Sequence, residues 1–326
     1  MTVFPGKHLY AWAHYSVAAG KTITRLENAD EVTRGWPGPA AHISKERAVE
    51  RTAHAAIHLI DQDAPEQVVE PSSHDAELAQ RIRSGLRAGE FSVAYQPVAH
   101  AQTLTLLNVE CLLRWQHPQY GPLLPECFVS AFDDPQTARA ASEFMLEAVC
   151  LQLGEMRRAG LVLPPVTVNI QPAQLLDETL CDTIRDATRR NGIDPLLLEL
   201  ELVATEDAAT LLSTREFTRS LRQLGVRLAL NDFGSGYSPL SLLGSAHIDT
   251  VKLARSFMAR VPFAPRDCVV MTGLLDLLER LKMRAVVEGV ESEAQLRWLR
   301  QRPEVYVQGY HVARPQAQLA NALALN

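Results

Sequence analysis

From about residue 76 the chain settles into a regular alternation, and this narrows its fold more than any other feature. Eight strand-like segments stand out: 91–97 (FSVAYQP), 105–115 (TLLNVECLLRW), 165–170, 196–203, 226–231, 249–253, 284–288 and 305–308. Their aliphatic and β-branched runs suit strands covered on both faces. Helical stretches over 137–159, 171–191, 206–224, 264–282 and 292–301 separate most of them. Eight strands alternating with helices over about 250 residues predict an α/β fold, a (β/α)8 TIM-like barrel. Only a short Ala-His-Ala-Gln-Thr connection joins the segments at 91 and 105, so one antiparallel strand is expected within the barrel. A hydrophobic content of 47% is ample for its core.

Residues 1–75 read differently, as an N-terminal extension and linker of no assigned fold, leaving 76–326 for the barrel domain. The extension holds six of the ten histidines, a Gly-Trp-Pro-Gly-Pro cluster and one helical stretch near 44–59. His54 and His58 sit four apart on that stretch, but no acidic residue completes a zinc-protease pattern, so a solvated or partner-facing pair is expected. The five cysteines are scattered and never in a C-x-x-C spacing, which argues against a disulfide framework or a zinc site and for buried thiols. No apolar run approaches the roughly 18 to 20 residues of a bilayer span, and no leader pattern opens the chain, so a cytoplasmic location is expected. A net charge of −6 argues against an extended basic footprint for duplex nucleic acid or an anionic membrane.

Polar residues recur at the carboxyl ends of the strands: Glu110 and Arg114, Asn169, Glu201, Asn231 with Asp232, Lys252, Glu288 and Gln308. In a barrel those ends converge on one mouth. Several carboxylates with an asparagine make a hard-oxygen environment suited to Mg²⁺, Mn²⁺ or Ca²⁺, and Arg114 and Lys252 add positive charge for a phosphate. A shared site for metal-assisted phosphodiester chemistry is the expectation.

The same residues carry a family resemblance. Glu110-Cys111-Leu112-Leu113-Arg114-Trp115 resembles the E-x-L-x-R-W segment of EAL domains, and Val168-Asn169-Ile170 with Gln174 their V-N-L-S-x-x-Q segment. Glu199-Leu200-Glu201, the Asn231-to-Tyr237 loop, Asp249 to Leu253, Val287 to Glu291 and Val307 to Tyr310 with Pro315 follow in the family's order, from about residue 78 to 318. EAL domains are bacterial phosphodiesterases that open cyclic di-GMP to pGpG. The resemblance implies that Glu110, Asn169, Glu201, Asn231, Asp232 and Glu288 stand at metal-ligand positions, with residue 231 as the bridge between two ions. It implies that Lys252, Glu288 and Gln308 serve catalysis where the chain is active, Lys252 and Gln308 by positioning water. Glu110, Leu112, Arg114 and Glu291 would contact cyclic di-GMP. The cofactor would be Mg²⁺ or Mn²⁺ for turnover, with Ca²⁺ inhibitory or supporting binding.

This chain departs from the pattern at the bridge. Asn231 replaces the family's aspartate, and a neutral amide oxygen serves poorly between two divalent ions about 4 Å apart. Ala254 stands where the family has an aspartate, and Ala204 where a glutamate anchors the loop after Asp232, unless Glu206 takes that role. The expected function is therefore that of a degenerate EAL protein of cyclic di-GMP signalling, binding cyclic di-GMP or a partner protein with impaired or absent hydrolysis. Two alternatives stay open: a weak or conditionally active phosphodiesterase, and a nucleotide-independent protein-interaction module. The resemblance also implies a homodimer. Trp115, Phe233 and Tyr237 are candidates to stack on a base but fit core or rim positions better.

Overall fold

The computed structural model describes residues 73–323 apart from 205–207, 209–210, 213–214, 237, 239 and 246–247. The expected N-terminal extension, its helix, His54 and His58 lie outside the described residues, as do Glu206 and Tyr237. The first described element is helix α1 (Ser73–Arg87), which buries Ala79 and Ile82 against the barrel.

Nine strands follow: β1 (Phe91–His100), β2 (Leu106–His117), β3 (Gly121–Leu123), β4 (Val166–Ile170), β5 (Leu198–Val203), β6 (Arg227–Phe233), β7 (Thr250–Leu253), β8 (Arg284–Val287) and β9 (Val305–Val307). Their order is β1-β9-β8-β7-β6-β5-β4-β2-β3, and a further β1–β2 pairing closes the sheet into an eight-stave barrel with β3 outside it. β1 runs antiparallel to both β2 and β9, while the pairings from β2 through β4 to β9 are all parallel. The eight expected strands are thus all present and the expected hairpin is β1–β2. The three-residue β3 was too short to carry a period of its own.

Helices α2 (Pro135–Arg158), α3 (Leu180–Asn191), α4 (Arg215–Leu224) and α6 (Pro265–Arg280) cover the parallel staves, with the short α5 (Ser241–Ser245), α7 (Glu293–Leu299) and α8 (Leu319–Ala322). Asp134 caps α2 by accepting from Thr137 N–H at 2.9 Å, and Ser292 with Gln295 forms a reciprocal cap on α7. The helical stretch expected over 171–191 is broken: Pro172–Leu176 is a 3₁₀ turn, and α3 begins only at Leu180. Proline opens that turn, and Gln171 and Gln174 close it on themselves.

Outward-facing aliphatics such as Leu198, Leu200 and Leu202 pack under the helices, while Glu199 and Glu201 share the opposite, inward parity of β5. Cys111 is fully buried on the face opposite Glu110, where burial pushes its thiol far above the ordinary range. All five cysteines are free, but Cys127 is exposed and Cys181 and Cys268 are only partly covered. The expectation of five buried thiols is corrected accordingly; Cys127 lies in the irregular stretch after β3, where no period marks burial. Trp115 stacks on Phe91 at 5.0 Å, meets Phe128 edge-on and donates its indole N–H to Glu90 at 2.9 Å. It and Phe233 are core residues, so neither is placed to stack on a ligand.

Candidate functional site

The mouth of the barrel is built from inward positions at the carboxyl ends of the parallel staves. β2 supplies Glu110, β4 Asn169, β5 Glu201, β6 Asn231, and β7 Lys252, while Glu288 and Gln308 directly follow β8 and β9. All of them are buried.

Glu110, Glu201 and Glu288 each offer a carboxylate oxygen, and the three oxygens lie within 4.8 Å of one another. Lys252 Nζ reaches all three groups, at 2.8 Å from Glu110 Oε2, 2.9 Å from Glu201 Oε1 and 2.8 Å from Glu288 Oε1. Burial alone would lower the Lys252 pKa, but the three carboxylates outweigh it and hold the ammonium well above its usual range. Burial is also the leading effect on Glu201; the charges of Glu110 and Glu288 add to it, against the pull of Lys252, and raise its pKa well above that of an ordinary glutamate. Asn169 Nδ2 donates to Glu110 Oε1 at 3.3 Å, and Gln308 Nε2 donates to Glu110 Oε2 at 2.7 Å. Three converging carboxylates with a nearby amide fit one hard divalent cation in chemistry and spacing.

The end of β6 is irregular. The β6–β7 register shifts between Leu230 and Phe233, and Asp232 adopts φ +52°, a left-handed conformation uncommon for a residue with a side chain. Asn231 is fully buried and its Oδ1 accepts from the Asp232 backbone N–H at 2.9 Å. The Asp232 carbonyl in turn accepts from Ser235 N–H at 3.0 Å and Ser235 Oγ–H at 2.9 Å. Gly234 has φ +91°, and a Cβ there would stand 2.3 Å from Phe257 Cε2. Glycine at 234 is thus a requirement of the turn, whereas at 236 a Cβ would meet nothing within 4 Å.

The remaining candidates lie around this cluster. Leu112 and Arg114 share the inward parity of Glu110 further along β2; Leu112 is buried, and Arg114, partly exposed, donates from Nη1 to the Leu113 carbonyl at 2.8 Å. Glu291 is exposed just before the cap of α7, where its backbone N–H donates to Gln295 Oε1 at 2.8 Å. Ala204 and Ala254 are both buried.

Sequence reasoning missed two groups. Gln96 on β1 is buried in the mouth and accepts from Gln308 Nε2 at 3.2 Å. Below the mouth, Glu199 is fully enclosed and accepts from Asn108 Nδ2 at 2.7 Å, Thr167 Oγ1 at 3.2 Å and Thr250 Oγ1 at 2.7 Å. The signal for the second group was the two-residue spacing from Glu199 to Glu201, which sends both carboxylates inward.

Comparison with known proteins matches residues 79–315 to the model of the EAL domain. An uncharacterised protein of Mycobacterium tuberculosis is 29% identical over 302 residues, covering 91% of this chain and 48% of that protein. Cyclic di-GMP phosphodiesterase NbdA of Pseudomonas aeruginosa is 31% identical over 251 residues, 76% of this chain and 32% of NbdA. The chain thus spans half or less of the length of these relatives. Among solved structures, the PaMucR phosphodiesterase in complex with c-di-GMP superposes with a TM-score of 0.67 at 28% identity, covering 75% of this chain and 99% of that one. The FimX EAL domain from Pseudomonas aeruginosa, bound to c-di-GMP, has a TM-score of 0.65 at 23% identity over 74% of this chain and 96% of its own, a likeness of fold.

Proposed function

The chain belongs to the EAL-domain family, and on that premise we propose that it serves cyclic di-GMP signalling as a binding protein whose phosphodiester hydrolysis is impaired or lost. The observation that carries this reading is Asn231. It occupies the family's bridging position, it is neutral, and its one ligating oxygen already accepts the Asp232 amide hydrogen.

EAL phosphodiesterases depend on divalent metal. Here Glu110, Glu201 and Glu288, with Asn169 bonded to Glu110 and Asp232 at the end of β6, are the residues to hold one Mg²⁺ or Mn²⁺, or a Ca²⁺ that supports binding without turnover. Such an ion would neutralise charge on the ligand's phosphate. Lys252 brings one positive charge among the same three carboxylates. Arg114 supplies a guanidinium for a ligand phosphate, Leu112 an apolar wall and Glu291 a carboxylate at the rim. Lys252 and Gln308 are the groups to orient water in any residual turnover. With a single charge-neutral residue at 231, that step loses several kcal/mol of barrier lowering.

Titration calorimetry of the full chain with cyclic di-GMP, in EDTA and again in Ca²⁺, paired with chromatography for pGpG in Mn²⁺, tests the proposal. Binding at or below the order of tens of micromolar without pGpG is expected. Asn231→Asp should add pGpG formation. Clear turnover by the unmodified chain would establish the second reading, a weak phosphodiesterase, which the intact Glu110–Glu201–Glu288 cluster favours. No binding in either condition would leave a protein-interaction module.

A further inference from the structure

The end of the barrel opposite the mouth, where the parallel staves begin, carries a different surface. Helices α2, α4 and α6 end there with Arg157 and Arg158, Arg222 and Arg280 in their last turns, and Lys282 follows in a left-handed turn before β8. All five are exposed, and none makes an ion pair among the described residues. Carboxylates share this end: Glu155, Glu279 and Glu304 are exposed there as well, Glu155 accepting from Gln152 Nε2 at 3.1 Å, while Asp194 accepts from Leu196 N–H and Asp249 from Leu228 N–H, each at 3.0 Å.

Basic residues at helix carboxyl ends complement the helix dipole, and that alone accounts for much of the charge. It does not account for the aliphatic side chains set among it. Val162 is 85% exposed, Leu196 55% and Leu161 49%. These occupy the loops leading into β4 and β5, beside the charged helix ends. Arg157 lies over Gly192 at the end of α3, where a Cβ would stand 2.5 Å from its Nη2, and Leu196 lies over Gly225, 3.0 Å from such a Cβ, so the charged end of α2 meets the end of α3 and the loop before β5 meets the end of α4.

We infer that this base face docks the chain on an anionic lipid surface, the arginines and Lys282 meeting headgroup charge while Leu161, Val162 and Leu196 enter the interface. A ring of separated cations with single protruding aliphatics, and no aromatic anchor among them, matches a laterally averaged charged surface better than the packed centre of a protein interface. The net charge of −6 is an average over the whole chain and leaves room for a local concentration of cations at one end. A stave such as β4 rises about 17 Å, so docking by the base leaves the mouth open.

Flotation of the full chain with vesicles of phosphatidylcholine alone, and with a third of it replaced by phosphatidylglycerol, tests this. Binding to the anionic vesicles only is expected, and it should weaken roughly tenfold when salt shortens the screening length to about 3 Å. Arg157→Glu with Arg158→Glu should weaken it roughly tenfold or more, Val162→Asp several-fold, and Arg157→Lys with Arg158→Lys should retain it. Each variant alters only exposed side chains, so an unchanged melting curve verifies the fold. The proposal is overturned by absence of binding to anionic vesicles, equal binding to neutral ones, or indifference to both the charge reversal and Val162→Asp. Capture by soluble polyglutamate without vesicle binding also overturns it and puts an acidic protein in the bilayer's place.

Discussion

Lys252 Nζ lies 2.8 Å from Glu110 Oε2, joining β7 to β2 across the barrel interior, between residues 142 positions apart in sequence. The same ammonium touches Glu201 and Glu288, so one buried cation offsets three buried carboxylates. Removing it leaves like charges facing each other without water. Lys252→Met should destabilise the metal-free protein by about 3–5 kcal/mol, the usual cost of breaking a buried pair from one side. Mn²⁺ should then raise the melting temperature of the variant more than that of the parent, because no ammonium competes for the same oxygens. Thermal unfolding with and without Mn²⁺ measures both; a variant that melts like the parent in EDTA would remove Lys252 from its structural role.

Arg114 poses the opposite case, a partly exposed cation at the rim that donates to its neighbour's carbonyl at 2.8 Å. Its loss should cost little stability and much ligand affinity. Arg114→Ala is expected to weaken cyclic di-GMP binding at least tenfold, about 1.4 kcal/mol or more. A calorimetric titration alongside a melting curve separates the two effects. Affinity unchanged from the parent would place the ligand phosphate elsewhere.

The strands were legible because each barrel stave is a short aliphatic run bounded by polar or turn residues, and Glu201, Lys252 and Glu288 were legible because they interrupt or end such runs. What escaped was context that only closure supplies. Gln96 sits in an ordinary-looking FSVAYQP segment and becomes part of the mouth only because β1 closes the sheet beside β9. Asn108, Thr167 and Thr250 are common strand residues, and nothing local says that they meet around Glu199. The position of Lys252 among three carboxylates is likewise a product of the barrel's geometry, since spacing along the chain gives its parity but no partner.

Glu90 offers a pH-dependent test of the α1 junction. The Trp115 indole N–H bonded to it lowers its pKa most, against a smaller opposing effect of desolvation, and the Arg81 hydrogen bond and charge lower it further. A depressed carboxylate contributes stability that is present above its unfolded pKa and lost as pH falls through the folded value. The melting temperature of Glu90→Gln should therefore fall below that of the parent near neutrality, and the gap should narrow on acidification past the ordinary glutamate range. Paired melts across that range measure the gap; one that stays constant would mean the contact acts through packing and not through charge.

The turn after Asp232 gives the last prediction. Gly234 has φ +91°, its N–H donates to Ser238 Oγ at 3.0 Å, and a Cβ there would stand 2.3 Å from Phe257 Cε2. Gly234→Ala meets two costs at once, a left-handed backbone and a clash with a ring, and should destabilise by about 1–3 kcal/mol. Because Asp232 is itself left-handed and its carbonyl holds Ser235, movement at 234 reaches the site directly. Cyclic di-GMP affinity should therefore fall with stability, whereas Gly236→Ala, where a Cβ would meet nothing within 4 Å, should leave both near parental values. Melting curves and titrations of the two variants decide it: equal effects at 234 and 236 would mean that the loop acts through its overall mobility and not through the one conformation that Gly234 permits.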